Sequence, residues 1–112
     1  MKMLKMLLWM VAAIPVFAQS QLGTGAAAGV VLDASGAQVA GAEIKVTGVD
    51  TGMVRRVVSG ATGEFLAPVL PAGRYDVLVS KPGFATLREG GVVVNVGATA
   101  NLKQTLQVGD VA

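Results

Sequence analysis

From residue 43 onward, apolar side chains recur at every second position. Ile44 and Val46 alternate with Lys45 and Thr47; Tyr75, Val77 and Val79 alternate with Asp76, Leu78 and Ser80; Val92, Val94 and Val96 alternate with Val93, Asn95 and Gly97. Successive strand side chains point to opposite faces, so a period of two predicts strands with one face buried and the other mostly wet. Leu102, Gln104 and Leu106 break the pattern with one polar residue in line, as is tolerable on a sandwich rim or an edge strand. Turn signals punctuate these runs: Asp33-Ala-Ser-Gly36, Asp50-Thr-Gly52, Gly60-Ala-Thr-Gly63, Pro71-Ala-Gly73, Lys81-Pro-Gly83, Glu89-Gly-Gly91 and Val96-Gly97. In Pro82-Gly83, proline presets φ for the first corner of a type II turn and glycine accepts the positive φ of the second. The spacing predicts seven strands, at about 27–32, 43–49, 53–59, 64–69, 74–80, 85–96 with a bend near Gly90-Gly91, and 99–107. The fold class is therefore all-β, a seven-stranded antiparallel β-sandwich.

The first residues follow a different pattern. Lys2 and Lys5 precede an unbroken apolar run from Met6 to Ala18, which gives way to Gln19-Ser20-Gln21. A basic start, a short apolar stretch and small residues at its end read as a signal-peptide helix. The run is well short of the roughly 20 residues that span a bilayer. Pro15 ends the helix, and Val16-Phe17-Ala18 places cleavage between Ala18 and Gln19. No transmembrane span remains after that cut. Without a following cysteine or a twin arginine, the leader points to the general secretory route. The organisation expected is a leader over 1–18, a flexible lead-in over 19–26, one β-sandwich domain over 27–108, and the start of a linker or tail over 109–112.

Removing the leader changes the charge balance. Removing 18 residues from 112 leaves 94, with the net charge of +2 reduced to zero because Lys2 and Lys5 are lost. Lys45, Arg55, Arg56, Arg74, Lys81, Arg88 and Lys103 are interspersed with Asp33, Glu43, Asp50, Glu64, Asp76, Glu89 and Asp110, with no block of one sign. Nucleic acid is not an expected partner. Cysteine and histidine are absent, which removes disulfides, zinc-finger-type sites, thiol redox chemistry and imidazole catalysis. No cofactor, metal or catalytic residue is expected, and the core must come from Val, Ala and a few rings.

Taken as a set, Gly29-Val-Val-Leu-Asp33-Ala-Ser-Gly36, Val39-Ala-Gly41-Ala42, Thr51-Gly52, Thr62-Gly63-Glu-Phe65, Leu70-Pro71-Ala-Gly73-Arg-Tyr75 and Pro82-Gly83-Phe84 resemble the carboxypeptidase regulatory-like domain. The resemblance covers about residues 27–108. It departs from the usual pattern at Ser59-Gly60-Ala61, where an acidic or amide residue is common. It implies a transthyretin-like, Cna-B-like sandwich, of the kind found at the N-terminus of TonB-dependent receptor-like outer-membrane proteins. The shared positions are read as structural. Gly41-Ala42 admits a strand where a larger side chain would collide, Gly63, Gly73 and Gly83 take turn conformations, and Phe65, Tyr75 and Phe84 fill the core.

Other motifs carry less. Gly23-Thr-Gly25-Ala-Ala-Ala-Gly29 has the glycines of a phosphate-binding loop but lacks the strand before and helix after it, so it reads as linker. The carboxylates lie in turns or on wet faces, and Arg55-Arg56 points to opposite sides of one strand. The function expected is a non-catalytic accessory module, exported to the periplasm, outer membrane or cell exterior. Its expected partner is a neighbouring envelope protein or receptor domain, bound by strand addition along an edge such as Val92 to Val96. A carbohydrate-binding module and a regulatory accessory domain of a peptidase are the alternatives.

Overall fold

A computed structural model describes residues 23–109. The leader, its cleavage site at Ala18 and Gln19, and residues 110–112 lie outside the described residues. Seven strands follow in order: β1 (Thr24–Asp33), β2 (Glu43–Gly48), β3 (Val54–Val58), β4 (Glu64–Pro71), β5 (Gly73–Ser80), β6 (Leu87–Val94) and β7 (Thr99–Leu106). They form a three-stranded sheet in the order β4-β1-β7 and a four-stranded sheet in the order β3-β2-β5-β6. Stacked, these make the all-β sandwich that the alternation and the glycine spacing predict.

Burial follows the period of two. Ile44, Val46, Val77 and Val79 are fully buried on the inner face of the four-stranded sheet; Ala27, Val31, Ala67, Leu70 and Leu106 oppose them from the other sheet. Each such Val or Leu contributes about 1.5–3 kcal/mol when removed from water. The β1–β4 side of the core is built from small residues, and Phe65 fills the space they leave. A Cβ on Gly29 would stand 2.8 Å from the Phe65 ring and 2.2 Å from the Leu102 carbonyl oxygen. Gly29 is thus a packing position within a strand rather than part of a linker or phosphate loop.

Further expectations are corrected. First, β1 starts at Thr24, so Thr24–Ala26 are strand and not lead-in: Thr24 pairs with Pro71 and the Ala26 N–H donates to Ala98 O. Second, one pairing is parallel. β1 and β7 run the same way from Ala26↔Thr99 to Asp33↔Leu106, while the other pairings are antiparallel. Residues 23 and 109 consequently lie at opposite ends of the sandwich. Third, Val96 is not on the buried face; it sits beyond β6 in the turn before β7, 65% exposed. Fourth, Phe65 and Tyr75 are buried but Phe84 is only half-buried, because it sits in the segment between β5 and β6, where its backbone bridges to Val108.

The turns show why particular residues stand where they do. Phe84 N–H donates to Lys81 O across Pro82-Gly83, and Gly83 has φ +90°, the predicted type II geometry. Gly63 combines φ +81° with a site where a Cβ would lie 2.6 Å from Val31 O. Gly41 needs a different reason from the crowding expected of it. Its surroundings are open apart from the flexible Lys81 amine, and the positive φ of +75° is what excludes other residues. Crowding applies to its neighbour Ala42, which is fully buried. The exposed Gly73 has φ +156° and open space around it. The expected bend at Gly90-Gly91 is a β-bulge, with the two glycines opposite Asp76 between the pairs Tyr75↔Val92 and Val77↔Glu89.

Candidate interaction surface

The polar residues of the sandwich are engaged singly. Asp33 Oδ1 accepts from the Ser35 N–H at 2.9 Å, the Ser35 hydroxyl at 2.6 Å and the Ala37 N–H at 2.9 Å. These bonds, the Ser35 hydroxyl foremost, hold its carboxyl below the usual range. Glu43 faces Arg56 at 3.7 Å, Asp50 faces Arg74 at 3.8 Å and Asp76 faces Arg88 at 3.0 Å. All three pairs are solvent-exposed, so each contributes at most about 1 kcal/mol. Glu89 accepts from the buried Gln104 at 2.6 Å. Among the described residues, no three metal-ligating side chains converge.

Ser59, at the departure from the family pattern, is buried. Its hydroxyl accepts from the Ala42 N–H and donates to Val39 O, both at 2.8 Å, while its own backbone bonds Gly41 and Ala42. A small hydroxyl residue therefore fastens the entry to β2 onto the end of β3.

Charge that is evenly mixed along the sequence is segregated in space. Arg56, Lys45, Arg74 and Arg88 share the outer face of the four-stranded sheet with Glu43 and Asp76, following the pairings Lys45↔Arg56, Lys45↔Leu78 and Leu78↔Arg88. A shallow depression of about 250 Å³ lies here, lined by Lys45, Thr47, Asp76, Leu78 and Arg88. The outer face of the other sheet carries Ala28, Val30, Leu32, Leu66, Thr99, Asn101 and Thr105, with Glu64 and Lys103 as its charges. The aromatic rings of the described residues lie elsewhere: Phe65 and Tyr75 are inside and Phe84 is half-covered, so none of these three lies flat and open as a sugar platform would require.

Four strands are edges, and two of them are obstructed. On β4, Pro68 has no N–H, and Arg55 reaches from β3 to donate to Pro68 O at 2.5 Å and Val69 O at 3.3 Å. Those two residues form a bulge opposite Ala26, in which Val69 takes φ +56°. Glu64 O is taken by the Gly60 N–H. On β6, the Gly90-Gly91 bulge interrupts the edge, and Glu89 points inward toward Gln104. The end of β6 is crowded as well, since a Cβ on Gly25 of β1 would lie 2.3 Å from Asn95 O. β7 carries one lysine, Lys103, among the outward Thr99, Asn101 and Thr105, and its chain is bonded to residues 83–85 only beyond the strand. Bulges, inward charges and edge lysines are the usual means of blocking sheet-to-sheet pairing.

Among the described residues, β3 has no such obstruction. Its bonds to the β2 side include Met53 O to the Gly48 N–H and the Ser59 N–H to Ala42 O. By the alternation of an antiparallel ladder, odd-numbered residues therefore face β2, and the backbone groups of Val54, Arg56 and Val58 face outward. Val54 is 42% and Val58 63% exposed. Arg55 and Arg56 take opposite faces, as the alternation predicts, whereas the edge expected at Val92 to Val96 follows a bulge; the order of strands in the sheet, which decides this, has no signature in local pattern.

The family model of the carboxypeptidase regulatory-like domain matches residues 27–107. A search of curated protein sequences finds no match. Solved structures with a similar fold include a candidate carbohydrate-binding protein from Bacteroides uniformis, with TM-score 0.61 and 22% identity over 75% of this chain and 41% of that one. The group B streptococcus pilus 2b backbone protein has TM-score 0.59 and 19% identity, over 77% and 42%. Catechol 1,2-dioxygenase from Acinetobacter radioresistens has TM-score 0.62 and 12% identity, over 83% and 54%. This chain spans less than two thirds of each of those structures, and the likeness is one of fold.

Proposed function

The chain belongs to the carboxypeptidase regulatory-like domain family, and we propose that it is a non-catalytic accessory module, exported to a bacterial envelope, that presents a sheet edge to a neighbouring domain or protein. The observation that carries this reading is the uneven treatment of the edges: β4 and β6 are obstructed, while β3 offers, among the described residues, backbone groups without partners between exposed valines. An open edge is a template for strand addition. The basic and apolar residues of 1–18 support export by the general secretory route. Entry and exit at opposite ends suit a module set in series with others.

The test is fractionation of the producing cells, N-terminal sequencing of the product, and photo-crosslinking in the cell from single positions on each edge. A product beginning at Gln19 in the envelope fraction, with an adduct from at least one edge position, is the expected result. A cytoplasmic product with its leader intact, or no adduct from any edge, overturns the proposal.

A further inference from the structure

We infer that the docking edge is β3, Val54–Val58, and that it takes an extended strand carrying an acidic residue between two apolar ones, supplied by another polypeptide. The inference rests on the accessory-module reading and names its contact and the chemistry of its partner. Three observations converge on it.

The first is the backbone register. With Val54, Arg56 and Val58 directing N–H and C=O away from β2, an antiparallel newcomer finds donors and acceptors at three successive alternate residues. The stretch is free of proline and glycine and carries no bulge against β2.

The second is the side-chain row beside those groups. Val54, Arg56 and Val58 point to the outer face in the order apolar, cationic, apolar. Lys45 stands directly across from Arg56 on β2 and makes none of the ion pairs among the described residues, so the centre of the row is doubly positive. Two carboxylates stand near it: Glu43, at 3.7 Å from Arg56 with both side chains more than half exposed, and Asp76, which lines the depression beside Lys45 and is held by Arg88. A strand presenting Val-x-Glu-x-Val in register would place its carboxylate beside Arg56 and its apolar side chains beside Val54 and Val58.

The third is what the row excludes. In a second copy paired antiparallel about the centre of β3, Arg56 would lie directly opposite its own counterpart, next to both Lys45 amines. Like charges in directly opposed positions are destabilising. The edge therefore discriminates against self-pairing while remaining open to a complementary strand. Behind this row, Arg55 donates to the Pro68 and Val69 carbonyls and ties β3 to β4.

The test uses the isotope-labelled chain and two peptides, Thr-Val-Thr-Glu-Thr-Val-Thr and the same sequence with Lys at its centre. The Glu peptide is expected to shift the amide resonances of Val54, Arg56 and Val58 and to slow their hydrogen exchange. The Lys peptide should bind about fivefold more weakly or worse. In Arg56→Glu, an exposed change expected to leave the fold intact by its amide spectrum, the order of the two peptides should reverse. Equal binding of both peptides, shifts confined to β6 or β7, no binding at millimolar peptide, or a dimer of the chain through β3 each overturns the inference. Crosslinking separates the two levels: an adduct from Val93 or Lys103 but none from Val58 sinks this inference and leaves the accessory-module reading standing.

Discussion

Gln104 Nε2 donates to Glu89 Oε1 at 2.6 Å, joining the edge strand of the three-stranded sheet to the edge strand of the four-stranded one. Gln104 is 1% exposed and lies in line with Leu102 and Leu106 on the inner face of β7, whereas Glu89 reaches solvent. The bond meets part of the carboxamide's hydrogen-bonding need at a site that is otherwise apolar. Replacing Gln104 by Leu should therefore change unfolding free energy by no more than about 1 kcal/mol, since the freed Glu89 can hydrate. Gln104→Ala leaves a void and should cost about 2 kcal/mol or more. Urea denaturation of both variants decides the point: if Leu costs as much as Ala, the polar bond and not packing holds this side closed.

Tyr75 is buried against the core, and its hydroxyl donates to Pro71 O at 2.5 Å across the β4–β5 turn. Tyr75→Phe keeps the ring and should lose about 0.5–1.5 kcal/mol, while Tyr75→Ala should lose roughly 3–5 kcal/mol. A loss below 1 kcal/mol for the alanine variant would contradict the assignment of this ring to the core.

The same phenol makes a prediction about alkaline pH. Burial raises its pKa above the usual value of 10.0, partly opposed by the positive charge of Arg55. A folded state that holds its proton more tightly than the unfolded chain is stabilised below the unfolded pKa and loses that stabilisation as pH rises through the folded one. The denaturation midpoint should fall above about pH 10, and Tyr75→Phe should remove this contribution. In Arg55→Ala the absorbance titration of the single tyrosine should move to still higher pH.

Much of this fold was legible because its cause is local. Ile44 and Val46, or Val77 and Val79, declare an inner face through alternation alone, and Gly90-Gly91 marks its bulge through the positive φ of +72° that Gly91 accepts. What was not legible depends on tertiary partners. Thr24–Ala26 have the composition of a linker and become strand only because β4 and the β6–β7 turn are there to receive them. The parallel run of β1 beside β7 follows from strand order, which no short pattern encodes. Phe84 reads as a core ring by its type and motif, yet the turn before it sets it at the rim. The open edge was hidden for the same reason: Val92 to Val96 and Val54 to Val58 look alike in sequence, and only the bulge, the inward Glu89 and the neighbouring β1 separate them.

Asp33 makes a prediction at acidic pH. The Ser35 hydroxyl, the Ala37 N–H and the other bonds to its carboxylate lower its pKa, so its stabilising contribution is present above the unfolded pKa and lost as pH falls through the folded one. By carbon-detected titration Asp33 should protonate below the usual Asp range. Ser35→Ala, which removes the largest cause, should move it upward. An unchanged titration in that variant would show that the backbone donors alone hold the carboxylate.

Val69 sits at φ +56° in the β4 bulge with 63% of its surface exposed, a left-handed conformation that a β-branched residue adopts at a cost. Two features keep it there. The bulge places Pro68 and Val69 opposite the single residue Ala26, and the Arg55 guanidinium binds both of their carbonyls from the other sheet. Val69→Gly removes the steric penalty and sacrifices little buried surface, so it should stabilise the domain by about 1 kcal/mol. Arg55→Ala should destabilise it by a similar amount and shorten the exchange lifetimes of amides along β3 and β4, because the clasp between the two sheets on this side is lost. Combined, the two substitutions should not be additive, since the arginine's role is to hold the conformation that glycine adopts freely. A double mutant whose unfolding free energy equals the sum of the singles would mean that Arg55 stabilises the seam independently of the strained residue.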